Sequence, residues 1–397
     1  MEGALAGIRV LDLTHYIAGP FCTRLLADHG AEVIKIEKPG EGEGARRMGP
    51  FVGDDPHPEK SIPFLYLNWN KKGITLNLKA ERGRELFRAL VREADVLVEN
   101  FEPRVMPGLG LSYTELQQIN PALIMTSISN FGQTGPYRDY KAQDLILYAM
   151  SGIMSISGRQ DREPIKHGLF QAQYAGGING ALTTVLALYI RELWGRGQHI
   201  DVSIAECLTS ELVLALPYYT YTGGVQGRMP PQGGAFGNIM PCQDGYVVAQ
   251  MGVGTRWEDF VDFLDIPELR DPKFATAEGR IRHGAELDAL LVEKFRKMKK
   301  WDLYHTASQR RFLFGVVQDP AELSRCPHLE ARNFFREITH QVVGSLRYPA
   351  ELFKMTETPA QFRRGAPLLG EHNEEIYEGL LGLSASEREQ LQAEGVI

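Results

Sequence analysis

Basic side chains cluster around the second predicted strand, where they could bind phosphate groups. They are Lys35, Lys38, Arg46 and Arg47, and a glycine-rich turn at residues 39–44 lies among them. Lysine ammonium and arginine guanidinium groups form charge-assisted hydrogen bonds with phosphate oxygens. Glutamates in the same stretch balance the charge, so a solvated surface is an equally good interpretation. The pattern leaves both interpretations open.

Two further segments follow predicted strands and could contact a ligand. Residues 14–20 come after the first strand, at the carboxyl edge where open α/β sheets bind ligands. The N-terminus of the helix that follows could attract an anion. Asn100 and Phe101 leave a later strand, and an aromatic ring beside an amide could hold a purine or an acyl chain. A simple strand-to-helix turn and a core position for Phe101 are the alternatives.

The sequence lacks the motifs of the common catalytic and metal-binding machineries. Its ten histidines show no metal-ligand spacing and its four cysteines include no CxxC pair, so we predict no metal site. It has no GxSxG nucleophile elbow, no P-loop and no GxGxxG fingerprint. Serine-hydrolase, P-loop and dinucleotide-binding functions are therefore not indicated.

The size and charge of the chain limit the classes of protein that fit. Its 397 residues exceed the about 250–300 at which one hydrophobic core stops growing, so we predict two domains. A net charge of −7 argues against a nucleic-acid partner. The N-terminus shows no signal-peptide pattern, and the longest apolar stretch, residues 178–190, is too short for a membrane span. We therefore predict a cytoplasmic enzyme that makes no membrane contact and buries this stretch as a helix.

Alternating strand and helix patterns predict a parallel sheet in the N-terminal half. Such alternation implies right-handed βαβ crossovers and a Rossmann-like α/β domain. The predicted strands are residues 8–13, 31–36, 74–78, 95–99, 123–129 and 199–203. Predicted helices begin near Pro20, Ala80, a capping box at residues 112–115, Asp144 and Ala175. A Gly- and Pro-rich stretch from Tyr221 is expected to link this domain to a smaller α+β domain.

Together these segments resemble the class III CoA-transferase family across nearly the whole chain. The matching stretches are residues 7–13, 15–20, 30–37, 70–72, 98–101, 132–136, 197–203 and 366–372. The resemblance implies a two-domain fold in which both chain ends build a large Rossmann-like domain around an inserted small α+β domain. We place the large domain at residues 1–222 and 333–397 and the small domain at residues 223–332. The resemblance also implies that two subunits form an interlocked dimer.

The resemblance further implies a site for coenzyme A, which is a substrate of the family and not a tightly bound cofactor. The implied contacts are Tyr16, Ile17, Ala18, Lys38, Leu76, Asn100 and Phe101. Gly108 stands where a CoA-contacting arginine often lies, and Arg104 is the candidate replacement. The glycine loop that would stabilise oxyanions through its backbone N–H groups is expected at Gly233, Gly234 and Gly237.

Gln173 occupies the position at which the family carries its nucleophilic aspartate. A carboxylate can attack a thioester and carry the acyl group, whereas an amide is a very poor nucleophile. The histidine–aspartate pair of the related racemases is also missing, since Gln143 and Gln173 take both places. The resemblance therefore predicts no catalytic nucleophile in this chain.

Two hypotheses follow from this substitution. In the first, the chain is the aspartate-lacking subunit of a two-subunit CoA-transferase of the benzylsuccinate type, with a homologous Asp-bearing chain as partner and with acyl-CoA and carboxylic acids as ligands. In the second, it is an active homodimeric transferase that uses Asp144, Asp161 or Glu163, or a non-covalent route. The sequence does not identify the acyl group.

Overall fold

A computed structural model describes residues 2–228, 239–251 and 254–397 of the chain. The chain divides into two compact units. The first comprises Met1–Ser155, Lys166–Val225 and Asn333–Ile397, and the second Ile156–Ile165 and Gln226–Arg332. The sequence-based division assigned residues 156–165 to the large domain, whereas here they group with the second unit. The exact domain boundaries stay a prediction.

The first unit contains a six-stranded parallel sheet with the strand order β3-β2-β1-β4-β5-β6. Its strands are β1 (Arg9–Asp12), β2 (Glu32–Glu37), β3 (Lys72–Thr75), β4 (Val96–Glu99), β5 (Ile124–Ser129) and β6 (His199–Ser203). This order confirms the predicted Rossmann-like α/β class. The strand order reverses between β1 and β4, so a crevice is expected at the carboxyl ends of these two strands.

Helices cover both faces of this sheet. They are α1 (Ala18–Asp28), α2 (Ile62–Asn68), α3 (Glu81–Arg92), α4 (Val105–Gly108), α5 (Tyr113–Ile119), α6 (Asp144–Met150), α7 (Ile153–Ile156), α8 (Gln171–Trp194), α9 (Ile204–Ser210) and α10 (Ala215–Thr222). The predicted capping box is present at α5, where Ser112 and Glu115 bond each other's backbone N–H groups. In α3 the buried side chains recur at helical spacing, at Leu86, Phe87, Leu90 and Val91, which turns one face of the helix to the core.

The C-terminal segment returns to the first unit and completes it. It forms an antiparallel hairpin of β10 (Phe335–His340) and β11 (Gly344–Pro349), a π-helical turn at Glu375–Leu380, and α17 (Ala385–Ala393). Tyr377 is fully buried in the same apolar cluster as the strand residues Leu11, Ile36 and Leu97. Both ends of the chain therefore contribute to one core.

The second unit has its own sheet and its own apolar core. Strands β7 (Ile239–Cys242), β8 (Gly245–Gln250) and β9 (Leu313–Val316) form a three-stranded antiparallel sheet. Its helices are α11 (Trp257–Leu264), α12 (Ala277–Arg282), α13 (Gly284–Phe295), α14 (Lys300–Gln309), α15 (Pro320–Leu323) and α16 (Pro327–Ala331). Phe260, Phe274 and Phe295 are fully buried between them.

Three glycines bring helix α8 into close contact with α1 and the sheet. A Cβ atom added to Gly177 would lie 2.6 Å from the carbonyl oxygen of Ala18, and one added to Gly176 would lie 2.7 Å from the Ile204 side chain. A Cβ atom on Gly180 would lie 2.6 Å from Ile128. Because these three residues have no side chain, α8 can lie close to the start of α1, to α9 and to β5.

The opposite face of α8 is apolar and exposed. Ile178, Leu182, Leu186 and Tyr189 are 49–65% exposed. The prediction of a buried helix is thus right for the glycine face and wrong for this one, because a uniformly apolar stretch does not reveal which side finds a partner. None of the helices in the described part of the chain combines the length and apolarity of a membrane span.

We expect Gly177→Ala to destabilise the first unit, since the added methyl group meets a backbone atom that cannot rotate away. The expected loss in the free energy of unfolding is about 1–3 kcal/mol, measured by urea unfolding. Gly108→Ala is the matched control, because a Cβ atom there meets nothing within 4 Å. Equal effects of the two substitutions would contradict the close contact.

Candidate functional site

The loops that follow β1 and β4 meet at the point where the strand order reverses. The N–H of His15 donates to Oδ1 of Asn100 at 2.7 Å, and Nδ2 of Asn100 donates to the carbonyl oxygen of His15 at 2.8 Å. The rings of His15 and Phe101 lie 5.3 Å apart. The structure therefore brings Asn100 and Phe101 together with the segment that carries Tyr16, Ile17 and Ala18.

Tyr16 holds a backbone conformation that non-glycine residues rarely adopt. Its φ is 66°, and the residue is 53% exposed. Its N–H donates to Oε2 of Glu43 at 2.9 Å, and a Cβ atom on Gly44 would lie 2.4 Å from its ring. Such strain persists only where the surroundings enforce it and is concentrated at functional sites.

The other predicted contacts lie in different environments. Lys38 is exposed and its ammonium group lies 2.6 Å from the carboxylate of Glu41. Arg104 is exposed and paired with Glu102 at 2.6 Å. Leu76 is only 3% exposed, so its side chain belongs to the core. The two cations remain available to anionic groups in solvent, whereas a ligand contact from Leu76 would have to come from its backbone.

A buried ion cluster, which we define as Asp12, Lys35, Glu43 and Lys71, supports the loop after β1. All four side chains are fully buried. Nζ of Lys35 donates to the carbonyl oxygen of Thr14 at 2.9 Å and lies 3.5 Å from Oε1 of Glu43. Oε2 of Glu43 accepts hydrogen bonds from the N–H groups of Tyr16 and Ala45. The buried ion cluster thus connects β1, β2 and the strained Tyr16.

The second ion pair of the buried ion cluster is formed by Lys71 and Asp12. Nζ of Lys71 donates to Oδ2 of Asp12 at 2.9 Å. Burial raises the pKa of Asp12, but the ammonium groups of Lys35 and Lys71 outweigh burial and hold that pKa well below its usual range. Burial lowers the pKa of Lys71 to about 8, although Asp12 opposes this shift. Removing one partner would leave a buried charge unpaired.

The hypothesis that Lys35 and Arg46 pair with phosphates is wrong. Arg46 is fully buried and forms two hydrogen bonds with the carboxylate of Glu37, at 2.7 and 2.8 Å. It also pairs with Glu59 at 2.7 Å, and the ring of Phe64 lies 3.8 Å from its guanidinium carbon. The burial of Lys35 could have been anticipated from the sequence, because this lysine lies inside strand β2 (Glu32–Glu37). A strand inside a parallel sheet is covered on both faces, so its charged residues need internal partners.

Gln173 lies in the first turn of α8 and is half-buried. Its neighbour Tyr174 packs edge-to-face on Phe21, with ring centroids 4.8 Å apart, and belongs to the apolar cluster of Ile17. No described residue forms a side-chain hydrogen bond with the carboxamide of Gln173. The start of α8, which carries Gln173, is therefore adjacent to the loop after β1 and the start of α1.

Asp144 orients the start of α8. Its Oδ1 accepts a hydrogen bond from the N–H of Ala172 at 3.0 Å, and its Oδ2 lies 3.2 Å from Nζ of Lys166. Lys166 also donates to the carbonyl oxygens of His167 and Leu169. An acidic group near a helix N-terminus is stabilised by the free N–H groups and the helix dipole. From the sequence, Asp144 was expected to begin a helix or to act as a substitute nucleophile, and its contact with α8 was not predicted.

The remaining candidate acids lie in the second unit and are exposed. Asp161 forms two hydrogen bonds with Arg159, both at 2.9 Å, and Glu163 is exposed to solvent. The predicted glycine loop at Gly233, Gly234 and Gly237 lies outside the described residues. Within the described residues, no group of three or more His, Cys, Asp or Glu side chains is arranged to hold a metal ion.

Known proteins are similar to this chain over nearly its whole length. Residues 5–373 match CoA-transferase family III. The chain is 35% identical to succinyl-CoA–D-citramalate CoA-transferase of Chloroflexus aurantiacus, with 99% of this chain and 98% of that protein covered. It is 33% identical to subunit BbsE of succinyl-CoA:(R)-benzylsuccinate CoA-transferase of Thauera aromatica, with 93% and 92% covered. The crystal structure of a CAIB/BAIF family protein from Brucella suis superposes with a TM-score of 0.87 at 32% identity, covering 96% of this chain and all of that one.

We expect Lys35→Met to cost about 3–5 kcal/mol in the free energy of unfolding, since it leaves the buried Glu43 and Asp12 with one ammonium group fewer. Urea unfolding measures this loss. Lys38→Met is the matched control, because that lysine is exposed, and it should leave stability unchanged. A Lys35→Met variant as stable as the control would show that the buried ion cluster does not support the fold.

Proposed function

The chain belongs to CoA-transferase family III, and we propose that it is the subunit without a nucleophile in an enzyme that transfers CoA between an acyl-CoA thioester and a carboxylic acid. One observation carries this proposal: Gln173 stands at the start of α8, beside the loop after β1, in an otherwise complete family frame. The homologues, which include two enzymes named for succinyl-CoA, support the CoA-transferase class.

The chemistry of the family route explains why this substitution matters. In that route an aspartate carboxylate attacks the thioester carbonyl, and the CoA thiolate leaves. The thiolate then attacks the aspartyl carbonyl of this mixed anhydride, which releases the donor acid and gives an aspartyl-CoA thioester. The acceptor carboxylate attacks that thioester to form a second mixed anhydride and frees the CoA thiolate, which attacks the acceptor's carbonyl to give the new acyl-CoA and the free aspartate. The carboxamide of Gln173 has no ionised oxygen and cannot form the first intermediate at a useful rate. An acid elsewhere must supply the oxygen.

The candidate acids of this chain are poorly suited to serve as the nucleophile in place of residue 173. Asp144 is buried, bonded to the N–H of Ala172 and paired with Lys166, so its carboxylate is already occupied in orienting α8. Asp161 is held by Arg159. These engagements favour a nucleophile supplied by a second chain over the alternative of an active homodimer with a displaced acid.

An exposed apolar surface supports a polypeptide partner. The free face of α8 is apolar, and α10 carries further exposed aromatic side chains, since Tyr218 and Tyr219 are about half exposed. Apolar surfaces of this extent mark sites of protein association. We propose that a homologous Asp-bearing subunit covers the surface in an interlocked dimer, and that the assembly is a heterodimer or a heterotetramer. The BbsE relative is itself named as a subunit.

The proposed ligands follow from the site and the relatives. We propose that CoA binds at the crevice between β1 and β4, with Tyr16, Ile17, Ala18, Asn100 and Phe101 around it and with Lys38 and Arg104 facing its phosphates, while Leu76 contributes backbone only. Succinyl-CoA as donor and an aromatic succinate as acceptor are the proposed substrates, by analogy with the relatives. All four cysteines are free, which supports a reducing, cytoplasmic location.

The purified chain alone should not exchange CoA between succinyl-CoA and a carboxylic acid. Since loss of a nucleophile typically costs roughly 10⁴-fold or more, chromatographic assays of CoA esters should find only background turnover. Adding a homologous Asp-bearing subunit should restore it. Full activity from this chain alone, together with a hydroxylamine-trapped acyl group on Asp144, Asp161 or Glu163, would establish the homodimer alternative instead.

Introducing the missing carboxylate should create a covalent intermediate. Incubation of Gln173→Asp with succinyl-CoA and trapping by borohydride should give a mass change that maps to the peptide containing residue 173. Gln171→Asp is the matched control, because it adds the same carboxylate at an exposed position in the same helical turn. A folded Gln173→Asp variant that binds CoA without acylation would contradict an intact pocket.

A further inference from the structure

A surface cleft of about 460 Å³ lies on the first unit. Its walls include three aromatic rings, one guanidinium group and two carboxamides, contributed by Tyr113, Trp194, His199, Arg196, Gln117 and Gln198. Pro121 and Gly197 also line it, and they belong to the turns that precede β5 and β6. The cleft therefore lies at the amino ends of these parallel strands, whereas the proposed CoA crevice lies at the carboxyl ends of β1 and β4.

The turn that carries Arg196 is held in one conformation by the glycines on either side. Gly195 ends α8 in the left-handed conformation, with φ of 68°, which favours glycine. The N–H of Gly197 donates to the carbonyl oxygen of Pro121 at 2.9 Å, and a Cβ atom at this glycine would lie 1.9 Å from the carbonyl oxygen of Leu123. The backbone thus fixes the point from which the Arg196 side chain extends, and a fixed site loses less entropy when it binds a ligand.

The aromatic rings of the cleft are separate from the exposed apolar face of α8. The rings of Tyr113 and His199 are stacked, with centroids 5.4 Å apart and planes inclined by 16°. Trp194 is 62% exposed and follows the buried Ala187 by two helical turns, so the two residues lie on the same side of α8. Tyr189 and the rest of the exposed face lie on another side. A partner subunit on that face and a ligand in the cleft would therefore use different surfaces.

The cleft carries a positive charge that no described residue neutralises. The Arg196 guanidinium carbon lies 5.8 Å from the centre of the Trp194 ring, and this arginine forms no ion pair within the described residues. Burial raises the pKa of Tyr113, and the nearby Arg196 opposes this rise. The described residues that line the cleft include no acid, and the carboxamides of Gln117 and Gln198 form no hydrogen bond with the described part of the chain. The cleft should therefore attract an anion.

We propose that this cleft is a second binding site, which takes a small aromatic carboxylate. The ligand ring would stack on the exposed aromatic faces, and its carboxylate would accept two parallel hydrogen bonds from the planar guanidinium of Arg196. The volume of the cleft lies within the range of roughly 300–1,000 Å³ that is typical of small-molecule sites. The proposal does not rest on the proposed function, because the cleft shares no residue with the CoA crevice.

Tryptophan indole N–H signals test the site directly by nuclear magnetic resonance. The chain has four tryptophans, and the signal that is missing from Trp194→Phe identifies that of Trp194. Titration of the ¹⁵N-labelled full chain with benzoate should shift this signal with a dissociation constant on the order of 1 mM, as expected for so small a ligand. The signal of the fully buried Trp69 should stay in place. An unchanged Trp194 signal at about 20 mM benzoate, well above that constant, would overturn the proposal.

Substitution of Arg196 tests the recognition of the carboxylate. Arg196→Gln should weaken benzoate binding by about tenfold, since it removes charge-assisted hydrogen bonds. Arg196→Lys keeps the charge but loses the planar pair of donors, so its affinity should lie between those of wild type and Arg196→Gln. Arg92→Gln, at an exposed position on α3, is the matched control and should bind as wild type. Equal affinities of Arg196→Gln and Arg92→Gln would overturn the proposal.

Two related ligands separate the contribution of the ring from that of the charge. Benzamide carries the ring without the negative charge, and cyclohexanecarboxylate carries the charge without the aromatic ring. Each should bind at least about fivefold more weakly than benzoate, and equal affinity of either one would overturn the proposal. The benzoate shift should persist with saturating CoA, and its loss would place benzoate in the crevice instead. Failure of CoA itself to bind would contradict the proposed function and leave this site standing.

Discussion

The candidate site depends on the buried pair of Lys35 and Glu43. Moving two charges out of water is costly, and their attraction at 3.5 Å is supplemented by hydrogen bonds from Nζ of Lys35 and to Oε2 of Glu43. Those additional bonds run to the backbone of the loop after β1, at Thr14 and Tyr16. The same interactions that allow the charges to be buried therefore impose the strained conformation of Tyr16. Strand β2 and the ligand-facing loop after β1 become one rigid element.

A second constraint positions the start of α8 relative to this element. Gly177 lets the helix approach the carbonyl oxygen of Ala18, and Asp144 fixes the first turn through the N–H of Ala172. Backbone-to-backbone contact of this kind leaves little freedom for side chain 173. These contacts fix where the first turn of α8, and with it Gln173, lies relative to the start of α1.

The cations near the carboxyl ends of β1 and β4 fall into two groups, one buried in the sheet and one exposed to solvent. Cations inside the sheet, at Lys35 and Arg46, are neutralised by buried glutamates, because an unpaired internal charge would be too costly. Cations at the rim, at Lys38 and Arg104, form only exposed pairs, which are weak and can exchange for a ligand anion. Glu99 is also buried, and its Oε2 accepts a hydrogen bond from the N–H of Phe101.

The sequence by itself determined the parallel α/β class, the capping box at Ser112 and the amide at position 173, and it predicted a ligand site at the loops after β1 and β4. These follow from local patterns, because strand and helix periodicity and turn chemistry are set by residues close in the chain. Only the tertiary structure decided that Lys35 and Arg46 are internal and that Asp144 orients α8. Each of those roles depends on partners brought together from distant parts of the chain, and a side chain's partners and burial cannot be read from its neighbours in sequence.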